Sequence, residues 1–293
     1  MDPLQFLTTT RLVVVAGKGG VGKTTVTAVL ARAAATRGLR VLAVELDGKP
    51  VLEALLTAHD SAVGHRSAVQ CITVTPSEAL AEYLDEHGLK RVSKRLTKSG
   101  IIDVVATAAP GIDDIVVLGK LKQLERSDLY DIILVDGPAA GHAITMLLSA
   151  SALLATVRGG PIRTQATEVA QMLADAQRCQ VVLVTLPETT PINEAIETAY
   201  ALEERVGVQL GPVVVNAVDQ ADPLPADTAP EGSPLRAAAE FRNSRRALHR
   251  HEVARLAEEL ALPQLLLPVA AQATLTAAAV SVLADGLRPV VTT

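Results

Sequence analysis

Residues 17–25 read Gly-Lys-Gly-Gly-Val-Gly-Lys-Thr-Thr, and no other stretch of the chain limits its fold as much. Glycines at 17, 19, 20 and 22 let successive backbone N–H groups turn inward and form a concave anion nest. Gly17, Gly22, Lys23 and Thr24 satisfy the spacing G-x-x-x-x-G-K-[ST]. In that pattern the lysine reaches the β- and γ-phosphates of a nucleotide and the hydroxyl ligates Mg²⁺. The flanks supply the setting the loop requires. Arg11–Ala16 is a short apolar run rich in β-branched residues and reads as a buried strand. Val26, Val29, Leu30, Ala33 and Ala34 recur at helical spacing, and Gly38 supplies a stop. Strand, loop and helix together place a nucleoside triphosphate on a helix N-terminus.

A second pattern overlaps the first. Gly17, Gly19 and Gly22 also fit G-x-G-x-x-G, with Glu45 and Asp47 near the distance of a ribose-binding acid. This dinucleotide reading gives no reason for Lys23-Thr24 at the helix start, so the triphosphate reading is preferred.

Beyond the loop, strand-like and helix-like segments alternate, which predicts an α/β fold with a mostly parallel sheet flanked by helices. Strands are expected at 11–16, 40–46, 70–75, 130–135, 180–185, 212–216 and 264–267. Helices are expected near 22–37, 50–58, 77–87, 111–126, 164–178, 191–206, 236–260 and 272–284. The whole chain, 1–293, reads as one domain, with a small helical subdomain over 76–126 and a proline-rich irregular loop over 219–235. Hydrophobic residues make up 49% of the 293 positions and aromatics only 2%, so the core must be built from Ala, Val, Leu and Ile. Such a core suits a parallel sheet covered on both faces.

Net charge is −5, which argues against a basic nucleic-acid face. Cys71 and Cys179 stand far apart, form no C-x-x-C, and read as small core residues. Met1–Leu7 has an acid and no basic run, so no signal peptide is expected, and the apolar stretch around Leu147–Val157 is too short to span a membrane. The expectation is a cytoplasmic protein. On the predicted helix over 236–260, Arg242, Arg246 and Arg250 recur at four-residue spacing beside Arg245, His249 and His251. This is a solvated helix face or a contact for an acidic partner, the former preferred.

Two predicted strands end in acids. Val41–Asp47 places Asp47 at a carboxyl edge, where it can orient an attacking water, hold Mg²⁺, or cap the next helix. Tyr130–Asp136 places Asp136 after four apolar residues, the Walker-B arrangement for a metal-binding carboxylate. Gly137–His142 follows, and its glycines permit a backbone change on nucleotide turnover. His142 serves there as a phosphate sensor or as a helix cap. Val213–Asn216 ends in an amide, whose donor and acceptor match an adenine edge.

Assembled, these stretches resemble the arsenical pump-driving ATPase family, which includes the eukaryotic ATPase that targets tail-anchored membrane proteins. The resemblance is carried by Gly17–Thr25, by Ala106-Thr-Ala-Ala-Pro-Gly-Ile-Asp-Asp114, and by Tyr130–His142, with Asn216 and Leu267-Pro268 following in the family's order. It implies Mg²⁺-dependent ATP hydrolysis by a dimer, of identical chains or with a paralogue, coupled to a protein client or membrane-associated partner. It implies catalytic roles for Lys18, Lys23 and Asp47, with Lys18 reaching the phosphates of the opposing subunit and Asp47 positioning the attacking water. Nucleotide binding falls on Gly17, Gly19, Gly20, Val21, Gly22, Lys23, Thr24, Thr25, Asn216 and Pro268, and the metal on Thr24 and Asp136.

The chain also departs from the family. Where the family commonly reads Asp-Pro-Ala-His, it has Asp47-Gly-Lys-Pro50. The zinc-binding C-x-x-C, the cysteine set of the arsenite pump and a Met-rich client groove have no counterpart; methionine stands only at 1, 146 and 172. The altered Asp47–Pro50 segment keeps a second reading open, a non-catalytic nucleotide-binding scaffold that assembles with a paralogue or polymerises.

Overall fold

The structure, a computed structural model, describes residues 4–46, 50–57, 69–91, 93–94, 111–270, 272 and 274–289. Asp47, Gly48, Lys49 and Ala106–Pro110 lie outside them. The seven predicted strands are present as β1 (Leu12–Gly17), β2 (Val41–Glu45), β3 (Val69–Thr73), β4 (Ile132–Ala139), β5 (Cys179–Thr185), β6 (Leu210–Val218) and β7 (Gln264–Pro268). All seven are parallel, and a two-residue β8 (Arg288–Pro289) adds antiparallel to β7. The order is β3-β2-β4-β1-β5-β6-β7-β8.

Alternation along each strand splits the core into two layers. Leu12, Val14, Leu42, Val44, Ile133, Val135, Val181, Leu183, Val213 and Val215 face one side. Val13, Val15, Val41, Ala43, Ile132, Leu134, Val182, Val184, Val214 and Leu265 face the other. Both sets are apolar because both faces are covered by helices, which is why these strands read as continuous hydrophobic runs rather than alternating ones.

The second face carries α1 (Phe6–Thr9), α2 (Lys23–Ala35), α3 (Val51–Thr57) and a C-terminal helix, α10 (Ala277–Gly286). The first carries α4 (Pro76–Glu86), α5 (Ile112–Arg126), α6 (Ala140–Thr156), α7 (Pro161–Ala174), α8 (Thr189–Ala201) and α9 (Pro234–Glu259). Helix starts follow local chemistry. Thr75 and Glu78 form a reciprocal capping box at α4, with Pro76 at its first position. Ser233 and Thr276 cap α9 and α10 through the N–H groups of Arg236 and Ala279.

The described helices of the 76–126 segment, α4 and α5, pack on each other. Their residues Leu80, Ile115, Leu118 and Leu121 belong to the same core layer as the strands. The expected irregular loop at 219–235 contains a single turn of 3₁₀ helix, Ala226–Thr228. It is tied down by Asn243, whose amide exchanges hydrogen bonds with both backbone groups of Leu224, at 2.9 and 2.8 Å.

The solvated-face reading of α9 needs correction. Arg246 and His249 are buried, Arg242 grips Asp219 with two hydrogen bonds of 2.8 and 2.9 Å, and Arg245 pairs with Glu188. Arg245, Arg250 and His251 of that basic set are exposed, so the solvated-face reading holds for part of it. Among the described residues no helix is long and apolar enough to cross a membrane.

Candidate active site

Because β1–β7 are parallel, Gly17, Glu45, Asp136, Thr185, Asn216 and Pro268 stand along one edge of the sheet. β1 lies at the centre of it. The chain leaves β1 toward β2 and β4 on one side, and later places β5 on the other. The crevice over β1 is therefore the point at which an open α/β sheet reverses its winding and receives a ligand.

The sheet closes on this strand through glycine. A Cβ on Gly17 would sit 2.3 Å from the Val184 carbonyl oxygen of β5, and one on Gly137 would sit 2.5 Å from the Val15 carbonyl oxygen of β1. No side chain fits at either place, so β5 approaches the first residue of the loop, and β1 approaches Gly137 of β4, at backbone distance. The loop itself turns through left-handed residues, Gly20 at φ 87° and Gly22 at φ 91°. Gly22 is the residue before α2, and the first turn of α2 carries no acid to oppose its positive end.

Thr24, in that first turn, donates its Oγ1 hydrogen to Asp136 Oδ2 at 2.6 Å. Thr27, one turn on, reaches Asp136 Oδ1 at 3.5 Å. The hydroxyl and the carboxylate predicted as metal ligands thus converge, from 112 residues apart in sequence. Among the described residues no group of three or more His, Cys, Asp or Glu converges as a metal cage. A hydroxyl–carboxylate pair beside an anion nest is the partial oxygen set that Mg²⁺ uses together with phosphate oxygens.

Lys23 Nζ lies at the loop and donates to the Lys18 carbonyl at 3.3 Å. Lys18 turns the other way, its Nζ 2.5 Å from Glu194 Oε1 of α8. Asn216, at the end of β6, donates from Nδ2 to the Val21 carbonyl and accepts the Ala217 N–H at Oδ1, both at 2.8 Å. It braces the loop, and keeps one N–H and one lone pair for another partner. The register of β6 against β7 shifts at this point, where Ala217 stands at φ 57°. Pro268 closes β7 beside β6, paired in register with Val218.

Three further residues, Glu45, Asp114 and Glu194, shape this edge in roles that their local sequence does not indicate. Glu45, paired in register with Asp136, is buried, and its Oε1 accepts from the N–H groups of Val51 and Leu52 at 3.3 and 3.4 Å. It caps α3 and so is not presented to a ribose. Asp114, at the start of α5, lies 3.8 Å from His142 Nε2. Burial and the neighbouring Asp113 raise the Asp114 carboxyl above the ordinary range, and His142 partly offsets them. Glu194 is the third. Beside it a cavity of about 400 Å³ opens between the loop, the start of α6 and α8.

A glycine loop at the switch point of a parallel sheet, with a lysine, a threonine and a strand-end aspartate around it, defines a P-loop nucleotide-binding protein. The profile of the family described as anion-transporting ATPase matches residues 10–158. The chain is 33% identical over 236 residues to the ATPase BagA of Mycobacterium tuberculosis, a match covering 75% of this chain and 68% of that protein. It is 29% identical over 217 residues to an arsenical pump-driving ATPase of Escherichia coli, covering 72% of this chain and 35% of that protein. The chain belongs to the anion-transporting ATPase family and is an ATPase.

Proposed function

We propose that the chain hydrolyses ATP with Mg²⁺ as a nucleotide-switched dimer and passes the resulting change in shape to a partner protein. The observation that carries this reading is the 2.6 Å contact between Thr24 and Asp136, made at the mouth of a glycine nest on the carboxyl edge of β1. Gly19, Gly20, Val21, Gly22 and Thr25 present the loop backbone to the phosphates, and Lys23 supplies a compact charge beside them. Thr24 and Asp136 would hold the metal, which when bound neutralises charge on the β- and γ-phosphates. Asn216 and Pro268 flank the base side, Asn216 with its remaining donor and acceptor. Asp47, assigned by resemblance, orients the attacking water.

Asp136 directly precedes the segment Gly137–His142, whose last residue faces Asp114 of α5. A shift at Asp136 is thereby passed to α5 and α6, on the first face of the sheet. Lys18, released from α8, serves the phosphates of a second subunit, either an identical chain or a paralogue. The metalloid and tail-anchor clients of other family members are not carried over, because their cysteine sets and Met-rich groove are absent from the sequence.

The test combines phosphate release, nucleotide binding and native mass on the purified chain. The expected result is Mg²⁺-dependent release that falls by about 10²-fold or more in Thr24→Ala and Asp136→Asn. Asp47→Asn should bind ATP without turning it over, and a non-hydrolysable analogue should double the mass. Tight nucleotide binding with no phosphate release by the wild-type chain would replace this reading with the scaffold one.

A further inference from the structure

We infer that Glu194 is a positioning residue for Lys18. It holds the loop lysine against its own subunit, and the pair opens before the lysine can act on a second one. This rests on the reading above in one respect, that Lys18 works in trans.

Glu194 stands in the second turn of α8, 176 residues from Lys18, and is brought to it by the β5–α8 connection. Its Oε1 lies 2.5 Å from Lys18 Nζ. Its second oxygen, Oε2, is buried and has no hydrogen-bond partner. Within the described residues this carboxylate therefore has the lysine as its charge partner and no other donor to fall back on. The Glu194 carbonyl separately receives the Thr198 hydroxyl at 2.6 Å.

The surroundings allow the lysine to leave. The cavity of about 400 Å³ is lined by Lys18, Gly19, Ala140, Gly141, Glu194 and Glu197, so the side chain lies along a hollow rather than in packed core. An outward swing breaks the ion pair and little else. Glu197 puts a second acid on the same wall and keeps that wall attractive to a cation. The Lys18 and Glu194 side chains are 45% and 37% exposed, so the pair is screened by solvent and biases the lysine by about two- to fivefold. It is thus a light hold, which the phosphates of a bound nucleotide can outbid.

Brief acetylation of the nucleotide-free full-length chain, read by mass spectrometry at Lys18 with exposed Lys90 as internal reference, tests the hold directly. Glu194→Gln is expected to raise the Lys18 rate about threefold and to leave Lys90 unchanged. Glu197→Gln, which removes an acid that is not bonded to Lys18, should raise the rate by less than Glu194→Gln does. Half-molar salt should bring wild-type Lys18 toward the Glu194→Gln rate, an effect that a purely structural role for Glu194 would not produce. Glu194→Asp, which keeps the charge, guards against a folding artefact and should stay closer to wild type than Glu194→Gln does. Equal Lys18 rates in wild type and Glu194→Gln overturn the inference.

A second measurement, native mass against protein concentration with a non-hydrolysable ATP analogue, should show Glu194→Gln dimerising at about threefold lower concentration. If no variant changes mass while the Lys18 difference persists, the dimer reading falls and the hold on Lys18 stands.

Discussion

Gly22→Ala, alone and combined with Asn216→Ala, probes how the phosphate loop is braced. An alanine at residue 22 meets two obstacles. The backbone there has φ 91°, a left-handed conformation that costs an L-residue about 1–2 kcal/mol. Its Cβ would also fall 2.3 Å from Asn216 Nδ2, so the amide must move and lose its 2.8 Å bond to the Val21 carbonyl. That bond contributes about 1 kcal/mol. The single variant should therefore lose about 2–3 kcal/mol of stability in urea unfolding, and Asn216→Ala about 1 kcal/mol. In the double variant the clash is gone but the backbone strain remains, so the total should stay at about 2–3 kcal/mol. The two single costs would then exceed the double cost by about 1 kcal/mol, a coupling that only residues in contact produce. Costs that add to within about 0.3 kcal/mol would refute the bracing contact.

Gly137→Ala should cost about 1–3 kcal/mol in the same assay, because its Cβ would press on the Val15 carbonyl, a backbone atom that cannot turn aside. Asp131 is held down to about 2, chiefly by the Arg40 guanidinium, which ties the start of β4 to the start of β2. Its folded value lies below its unfolded one, so its contribution is present above about pH 4 and lost as pH falls toward 2. The stability gap between wild type and Asp131→Asn should accordingly close over that window in acid titrations. Burial pushes both the Cys71 and Cys179 thiols up to about 12. At pH 8 iodoacetamide should therefore leave both intact in the folded chain and alkylate both in urea, and prompt labelling of Cys71 would show that β3 opens.

The strands were legible because a parallel sheet covered on both faces needs long β-branched runs, and Arg11–Ala16 and Val181–Thr185 are such runs. Thr24 and Asp136 were legible as a pair because each carries a local pattern, one after a glycine loop and one after four apolar residues. Helix α6 was not. It starts directly from β4 with no capping side chain, has Gly141 in its first turn, and is apolar around much of its circumference, so no helical stripe stands out. α9 misled in another way. Arginines four residues apart mark one helix face, but the sequence does not say which way that face points. The return of Asp219 onto Arg242 is set by tertiary contact. The same holds for Glu194, whose partner lies on another element, and for Glu45, a strand residue that caps a helix six residues later.

The strand order also determines how the molecule can come apart. Every strand on the β4 side of β1 comes from residues up to 139, and every strand on the β5 side from residue 179 onward. A nick in the exposed Arg158–Gly160 connection would leave two pieces with a half-sheet each, their strands meeting along the β1–β5 ladder. The pieces would still be interleaved, because α10 of the second packs over α2 of the first. The loop sits on the seam, with Gly22 contributed by one piece and its brace Asn216 by the other. A ligand filling that loop would act as a stitch across the seam, drawing together two halves that the chain itself joins only through α6 and α7.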